Sequence, residues 1–217
     1  MNGFLVVDKP AGMTSHDVVN VVRKRFNMKR VGHAGTLDPM ATGVLIILVG
    51  SWTKIFSQFA NVDKEYLVTA NFAAITNTGD AEGEVLKEFD YSQVTIAEVK
   101  RVFQEFTGEL QQIPPMVSAI KQGGIRLYEL ARRGIELERK PRLIVIKKIE
   151  LLKFYPPCID FKVLCSKGTY IRKLCEDIGK SLGCGGYETA LRRTQVGDFG
   201  VERAVKLEEI SESCLRN

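Results

Sequence analysis

Apolar positions recur along this chain with distinct spacings, and each spacing predicts a different kind of element. The continuous run Val44 to Val49 reads as a buried strand, and Phe4 to Val7 as a shorter strand ending in the turn cluster Asp8-Lys9-Pro10-Ala11-Gly12. Between them Val18, Val19, Val22 and Phe26 share one helical face, with Ser15 as N-cap and Arg23, Lys24 and Arg25 near the C-terminal end, where cations suit the helix dipole. Glu65 to Ala74 is rich in strand formers and leads into the turn-dense stretch Thr76 to Gly83. Thr95-Ile96-Ala97-Glu98 has capping-box form, and Ile96, Val99, Phe103 and Phe106 keep a helical stripe up to Gly108 as the C′ residue. Ile113-Pro114-Pro115-Met116 cannot be regular structure, because paired prolines remove donors and fix φ. Tyr128 to Arg133 reads as a short helix, and Leu143 to Ile149 and Ile159 to Cys165 as two strands able to pair antiparallel. Ile171, Leu174, Cys175, Ile178 and Leu182 mark a further helix closed by Gly183, and a last short helix lies near Leu207 to Ile210. Hairpin-like strands mixed with scattered helices predict an α+β, or mixed α/β, single domain.

Composition narrows the class without naming a function. At 217 residues the chain can bury a sizeable core, and its longest apolar run is too short to span a bilayer. The first residues show neither a basic n-region nor a long apolar h-region, so the expectation is a cytoplasmic protein with no membrane partner. Five cysteines with no C-x-x-C pair, and only two histidines, support neither a disulfide framework nor a zinc site; Cys165 and Cys175 fit apolar patterns and read as core. The net charge of +5 is unevenly spread: about +4 over residues 1–60, −6 over 61–110 and +7 over 111–217. Lys121 to Lys148 alone holds nine basic and three acidic residues, which suits a polyanion such as RNA as well as it suits a solvated face.

One stretch stands out chemically. Arg30 to Gly43 carries glycines at 32, 35 and 43 around His33 and Asp38, a shaped loop with one carboxylate just before the Val44 strand. Asp-Pro is also an ordinary turn pair, so the residues nominate Asp38 without electing it. A reactive carboxylate must be ionised and held, and a nearby guanidinium serves both needs. Arg172 is the candidate partner, since a cation in a first helical turn opposes the dipole and calls for a specific acidic neighbour or a forgiving exposed site. No phosphate-binding G-x-x-x-x-G-K-[ST] or dinucleotide G-x-G-x-x-G occurs, the serines and histidines show no triad spacing, and no second carboxylate is placed as a glycosidase would need.

Five ordered blocks carry a resemblance that covers nearly the whole chain: Asp8 to Ser15, Gly32 to Pro39, Lys64-Glu65-Tyr66, Cys165 to Arg172, and Leu191-Arg192-Arg193-Thr194. In these the sequence resembles the TruB type of tRNA pseudouridine synthase. The resemblance implies a pseudouridine-synthase-like catalytic domain over residues 1–217, with a central mixed, largely antiparallel sheet flanked by helices and loops. It implies cofactor-free isomerisation of uridine 55 in the tRNA T-loop, with the T-arm stem-loop as partner; a monomer without metal is expected. Asp38 would be the nucleophile, Tyr66 a stacking surface and proton acceptor, and Arg172 the partner of Asp38. Tyr170 and Leu191 would line the uracil pocket, and His33 would fill the space left by the flipped nucleotide. Lys9, Lys121 and the arginines at 132, 133, 139 and 142 are candidate phosphate contacts. Val117 stands where the family usually has an aromatic, so packing behind the pocket is expected to differ. Gly186-Tyr187 departs from a small residue plus His, and the small C-terminal RNA-binding domain usual in bacterial members is expected to be absent or vestigial. A catalytically idle RNA-binding or RNA-folding protein and a hydrolytic nucleoside enzyme using Asp38 are the competing readings.

Overall fold

The computed structural model describes every residue except 119, 132 and 217, and the side chains of 121, 122, 126 and 128 also lie outside the description. In chain order the elements are β1 (Gly3–Lys9), α1 (Ser15–Arg25), β2 (Val31–Ala34), β3 (Thr42–Val49), α2 (Phe56–Ala60), β4 (Lys64–Asn71), β5 (Ala74–Thr76) and β6 (Val85–Glu88). There follow α3 (Ile96–Glu105), β7 (Gly108–Gln112), β8 (Lys121–Gln122), β9 (Ile125–Arg126), α4 (Leu127–Ala131), β10 (Arg142–Tyr155), β11 (Cys158–Cys165), α5 (Ile171–Ser181), β12 (Tyr187–Val196), β13 (Phe199–Gly200) and β14 (Val205–Lys206). The fold is α+β with a large mixed sheet, as the hydrophobic pattern and the resemblance led us to expect. Contacts cluster into two compact units, the first made of residues 1–68, 162–167 and 190–217, the second of 69–161 and 168–189.

In the first unit β3 is buried from Gly43 to Val49 and has neighbours on both edges. One edge pairs antiparallel with β1 from Gly3↔Val49 to Lys9↔Gly43. The other is shared: β2 takes its C-terminal half antiparallel, from Val31↔Val49 to Ala34↔Ile46, and β12 takes its start in parallel, at Arg192↔Thr42 and Arg193↔Gly43. Successive side chains from Val44 to Val49 point to opposite faces and are all buried, so both faces of the strand are covered and the run is apolar without alternation. Phe4, Val6, Ala34, Val44, Ile46, Leu48, Phe59 and Val196 form the core here, and Phe4 meets the rings of Trp52, Phe59 and Phe199 at 5.1–5.4 Å.

Helix α1 starts one residue away from the expected cap. Thr14, not Ser15, is the N-cap: its hydroxyl accepts from the Asp17 amide at 3.1 Å, and the Asp17 carboxylate accepts from the Thr14 amide at 2.9 Å. That leaves the Ser15 hydroxyl available for a different task, described below. In the second unit β7 pairs antiparallel with the start of β10, and α3 begins with the expected capping box at Thr95 and Glu98. Its C-cap is Phe106, so Gly108 falls two residues beyond, where its φ of +109° opens β7. The short helix expected at Tyr128 to Arg133 forms at Leu127–Ala131, and Gly183 follows the Leu182 C-cap of α5 with φ +78°.

Candidate active site

Asp38 sits in the connection between β2 and β3, half-buried, in the first unit. The backbone on both sides of it is tied down residue by residue. Arg193, on β12, donates from Nη2 to the Gly35 carbonyl at 3.0 Å and from Nη1 to the Thr36 carbonyl at 3.3 Å. The Ser15 hydroxyl accepts from the Leu37 amide at 2.9 Å and donates to the Leu37 carbonyl at 3.1 Å. The Pro39 carbonyl accepts from the Gly12 amide at 2.9 Å and from Lys9 Nζ at 3.1 Å, and the Ala41 amide donates to the Asp38 carbonyl at 3.1 Å. Two sequence blocks far apart in the chain, Asp8 to Ser15 and Leu191 to Thr194, thus converge on this one loop.

The structure corrects the role expected of Lys9. Its ammonium is fully buried and donates to the carbonyls of Pro10 at 2.8 Å, Met13 at 2.7 Å and Pro39 at 3.1 Å, so its three protons face backbone rather than a phosphate. Replacing Lys9 by methionine is expected to cost about 3 kcal/mol or more in urea denaturation, because three desolvated carbonyls lose a charged donor. Gly43 is fixed by a second constraint: its φ is +101°, and a Cβ there would overlap the Arg193 carbonyl. Gly43→Ala should destabilise by about 3 kcal/mol or more, read by the same denaturation.

On β4, burial alternates so that Lys64 and Tyr66 point inward and Glu65 is half-buried between them. Glu65 accepts from the Thr194 hydroxyl at 2.8 Å and pairs with Lys162 at 3.3 Å. Lys64 donates to the carbonyls of Ala60 and Val62, and burial, aided by the positive charge of Arg193, pushes its amine down to about 8. Because the unfolded lysine titrates near 10.5, the unfolded chain binds more protons between pH 8 and 10.5, and stability gains as pH rises through that window. Relative to a Lys64→Met variant, the wild type should gain on the order of 3 kcal/mol between pH 7 and pH 10.5, measured by denaturation at each pH. Leu191 is buried on β12, His33 is half-buried with its backbone opposite Ile47, and Arg192 holds Asp8 in a two-pronged ion pair at 2.7 and 3.1 Å.

Arg172 and Tyr170 belong to the second unit. Arg172 is buried in the first turn of α5, and the acidic neighbour its position calls for is present as Asp80, 3.2 Å away and equally buried. Asp80 also accepts from the Thr78 hydroxyl at 2.6 Å and the Glu82 amide at 3.1 Å, while Arg172 donates to the carbonyls of Thr78 and Val117 at 3.2 and 2.8 Å. The acceptor at Val117 is the backbone carbonyl, so this last bond does not use its side chain. Tyr170, the N-cap of α5, lacks a side-chain cap bond, and buried Gln112 instead brackets its backbone, accepting from its amide at 2.8 Å and donating to its carbonyl at 3.1 Å. Gly186 is explained by close packing, since a Cβ there would come within 2.5 Å of the Cys175 carbonyl.

A cleft of about 490 Å³ in this unit is lined by Pro114, Pro115, Met116, Val117, Arg139 and Lys173 among others. Arg139 there pairs with Glu136 at 3.1 Å, and Arg133 and Arg142 are exposed. The expected contacts Lys121, by its side chain, and Arg132 lie outside the described residues. Cys175 is fully enclosed and burial pushes its thiol well up, which makes it core rather than nucleophile. Among the described residues, no group of three or more His, Cys, Asp or Glu is placed to hold a metal ion, and no helix is long and apolar enough to cross a membrane.

Chemically, the first unit presents one carboxylate on a rigidly anchored turn, which suits a nucleophile that must not drift. Reading the sequence missed Asp80, Gln112 and the anchoring roles of Ser15 and Arg193. Arg193 could have been suspected from a charged pair inside a strand, but its acceptors are carbonyls and leave no trace in residue type.

The chain is similar to known proteins over nearly its whole length. Residues 23–171 match the model for the TruB family pseudouridylate synthase N-terminal domain, and residues 172–217 match that for the tRNA pseudouridylate synthase B C-terminal domain. The chain is 52% identical over 216 residues to a tRNA pseudouridine synthase B of Clostridium tetani, covering 100% of this chain and 75% of the relative. It is 50% identical over 210 residues to the protein of the same name from Alkaliphilus oremlandii, covering 97% and 70%. Among solved structures it resembles a chain of a Cbf5-Nop10-Gar1 complex (TM-score 0.75, 31% identity, 95% of this chain) and one of an H/ACA RNP bound to a substrate RNA containing 2'-deoxyuridine (0.71, 28%, 95%). It spans about half the length of those two chains, 53% and 51%.

Proposed function

Because the chain belongs to the TruB family of pseudouridylate synthases, we propose that it converts uridine 55 of the tRNA T-loop to pseudouridine, with Asp38 as nucleophile and the T-arm stem-loop as its binding partner. The observation that carries this reading is the anchoring of the loop backbone at residues 35, 36, 37 and 39, which fixes the turn that bears the Asp38 carboxylate. The reaction breaks the N1–C1′ bond and forms C5–C1′; the C5 proton leaves and N1 gains one. Asp38 serves either by adding to C6 of the ring or by meeting the sugar once the glycosidic bond has opened. The base is flipped out of the RNA and retained while it rotates, so the pocket must exclude water. Tyr66 stacks on it and accepts the C5 proton, Tyr170 and Leu191 line the pocket, His33 fills the vacated space, and Arg172 is the counter-charge that keeps Asp38 ionised. The protein acts as a cytoplasmic monomer without cofactor or metal.

Unmodified tRNA carrying tritium at C5 of uridine should release one equivalent of tritium per tRNA. Absence of release would favour an idle RNA-folding protein, whose activity would survive Asp38→Asn. Binding should weaken steeply with salt, since phosphate contacts release counterions, with log Kd rising linearly against log salt concentration in filter binding. A flat response would count against RNA as the partner.

A further inference from the structure

Arg193 is 1% exposed, and no carboxylate lies within ion-pair distance of it among the described residues. A buried guanidinium is costly, and its acceptors here are backbone carbonyls alone: Gly35 at 3.0 Å, Thr36 at 3.3 Å and Val44 at 2.7 Å. Those carbonyls stand on the two sides of Asp38. Gly35 and Thr36 precede it, and Val44 lies near the start of the strand after it, so one rigid planar fork closes residues 35–44 into a ring. The backbone of Arg193 is itself fixed on the same ring, paired in parallel with Gly43, whose missing Cβ permits the approach. A positive φ of +85° at Gly35 turns its peptide within reach of the fork.

We propose that Arg193 is a positioning residue for the reaction, setting the place of the Asp38 carboxylate by clamping both ends of its loop. This rests on the reading of Asp38 as nucleophile. The buried charge is used for geometry: a methionine would fill much of the space but, having no donor, would bond none of the three carbonyls. A lysine would keep the charge and reach one or two of them, without spanning all three.

The test uses full-length Arg193→Met and Arg193→Lys, with two readouts. Hydrogen exchange at the Leu37 and Ala41 amides reports the loop, and exchange in β3 reports the sheet. Initial rates on an unmodified T-arm stem-loop separate kcat from KM. In Arg193→Met the loop amides should exchange at least about tenfold faster while β3 is unchanged, and kcat should fall about a hundredfold with KM within about threefold. Arg193→Lys should recover part of both effects. Unchanged loop exchange together with unchanged kcat would overturn the proposal, as would equal loosening of loop and β3, which marks a merely structural residue. If Arg193→Met does not fold, the same comparisons on Arg193→Lys decide it. A wild type that turns nothing over would sink the functional reading, and selective loosening of the loop would then decide the clamp by itself.

Discussion

Replacing Asp38 by asparagine is expected to reduce pseudouridine formation by about four orders of magnitude or more while leaving RNA binding nearly unchanged. Asparagine keeps the shape of aspartate but removes the charge and the nucleophilic oxygen, so the loss falls on chemistry. The loop should keep its course in the variant, because the bonds at Gly35, Thr36, Leu37 and Pro39 run to its backbone. The same anchoring makes Asp38→Glu informative. A turn that cannot retreat leaves the extra methylene to displace the carboxylate by about 1 Å, which should cost about a hundredfold even though the charge remains. Single-turnover rates on an unmodified T-arm, with filter binding alongside, check both variants. A rate for Asp38→Asn within tenfold of wild type would remove Asp38 from the nucleophile's role.

The second large effect is expected at Asp80. Its ion pair with Arg172 is buried on both sides, and the carboxylate also takes the Thr78 hydroxyl and the Glu82 amide. Asp80→Ala therefore takes a desolvated counter-charge from Arg172 and an acceptor from two donors, and should cost about 3 kcal/mol or more in urea denaturation. Asp80→Asn should cost less, since its amide oxygen still accepts. Activity should fall as well, since Arg172 would no longer be oriented from the Asp80 side. The double variant Asp80→Ala, Arg172→Met should recover part of the stability lost in Asp80→Ala, because two halves of one pair are not additive. A cost below about 1 kcal/mol for Asp80→Ala would show that the pair is not a structural element.

Much of the fold was legible because its elements follow patterns that burial imposes. The Val44 run is a strand with both edges covered, Thr95 and Glu98 make the capping box that their spacing announces, and Leu174, Cys175 and Ile178 face the core of α5. Errors arose where two residues compete for one local role. Thr14 and Ser15 both suit an N-cap, and only the position of Leu37, which takes up the Ser15 hydroxyl, decides between them. Lys9 illustrates a different limit. A lysine beside Pro and Gly in a basic protein reads as a solvent or phosphate contact, and its burial depends on a turn thirty residues later that brings the Pro39 carbonyl to it. The glycines around Asp38 only nominated it, while the place of Arg172 against a helix dipole called for the acidic neighbour that Asp80 supplies. Ser15 and Arg193 around the Asp38 loop, Asp80 beside Arg172 and Gln112 around Tyr170 act through backbone groups or through partners remote in sequence, and such pairings leave no local signal.

The most direct measurement is to incubate the full chain, and separately its Asp38→Asn variant, with an unmodified T-arm stem-loop and to map pseudouridine at single-nucleotide resolution. The account requires one modified position, the uridine corresponding to position 55, complete with the wild type and missing with the variant. Modification elsewhere, equal modification by the variant, or release of free uracil in place of pseudouridine would contradict it.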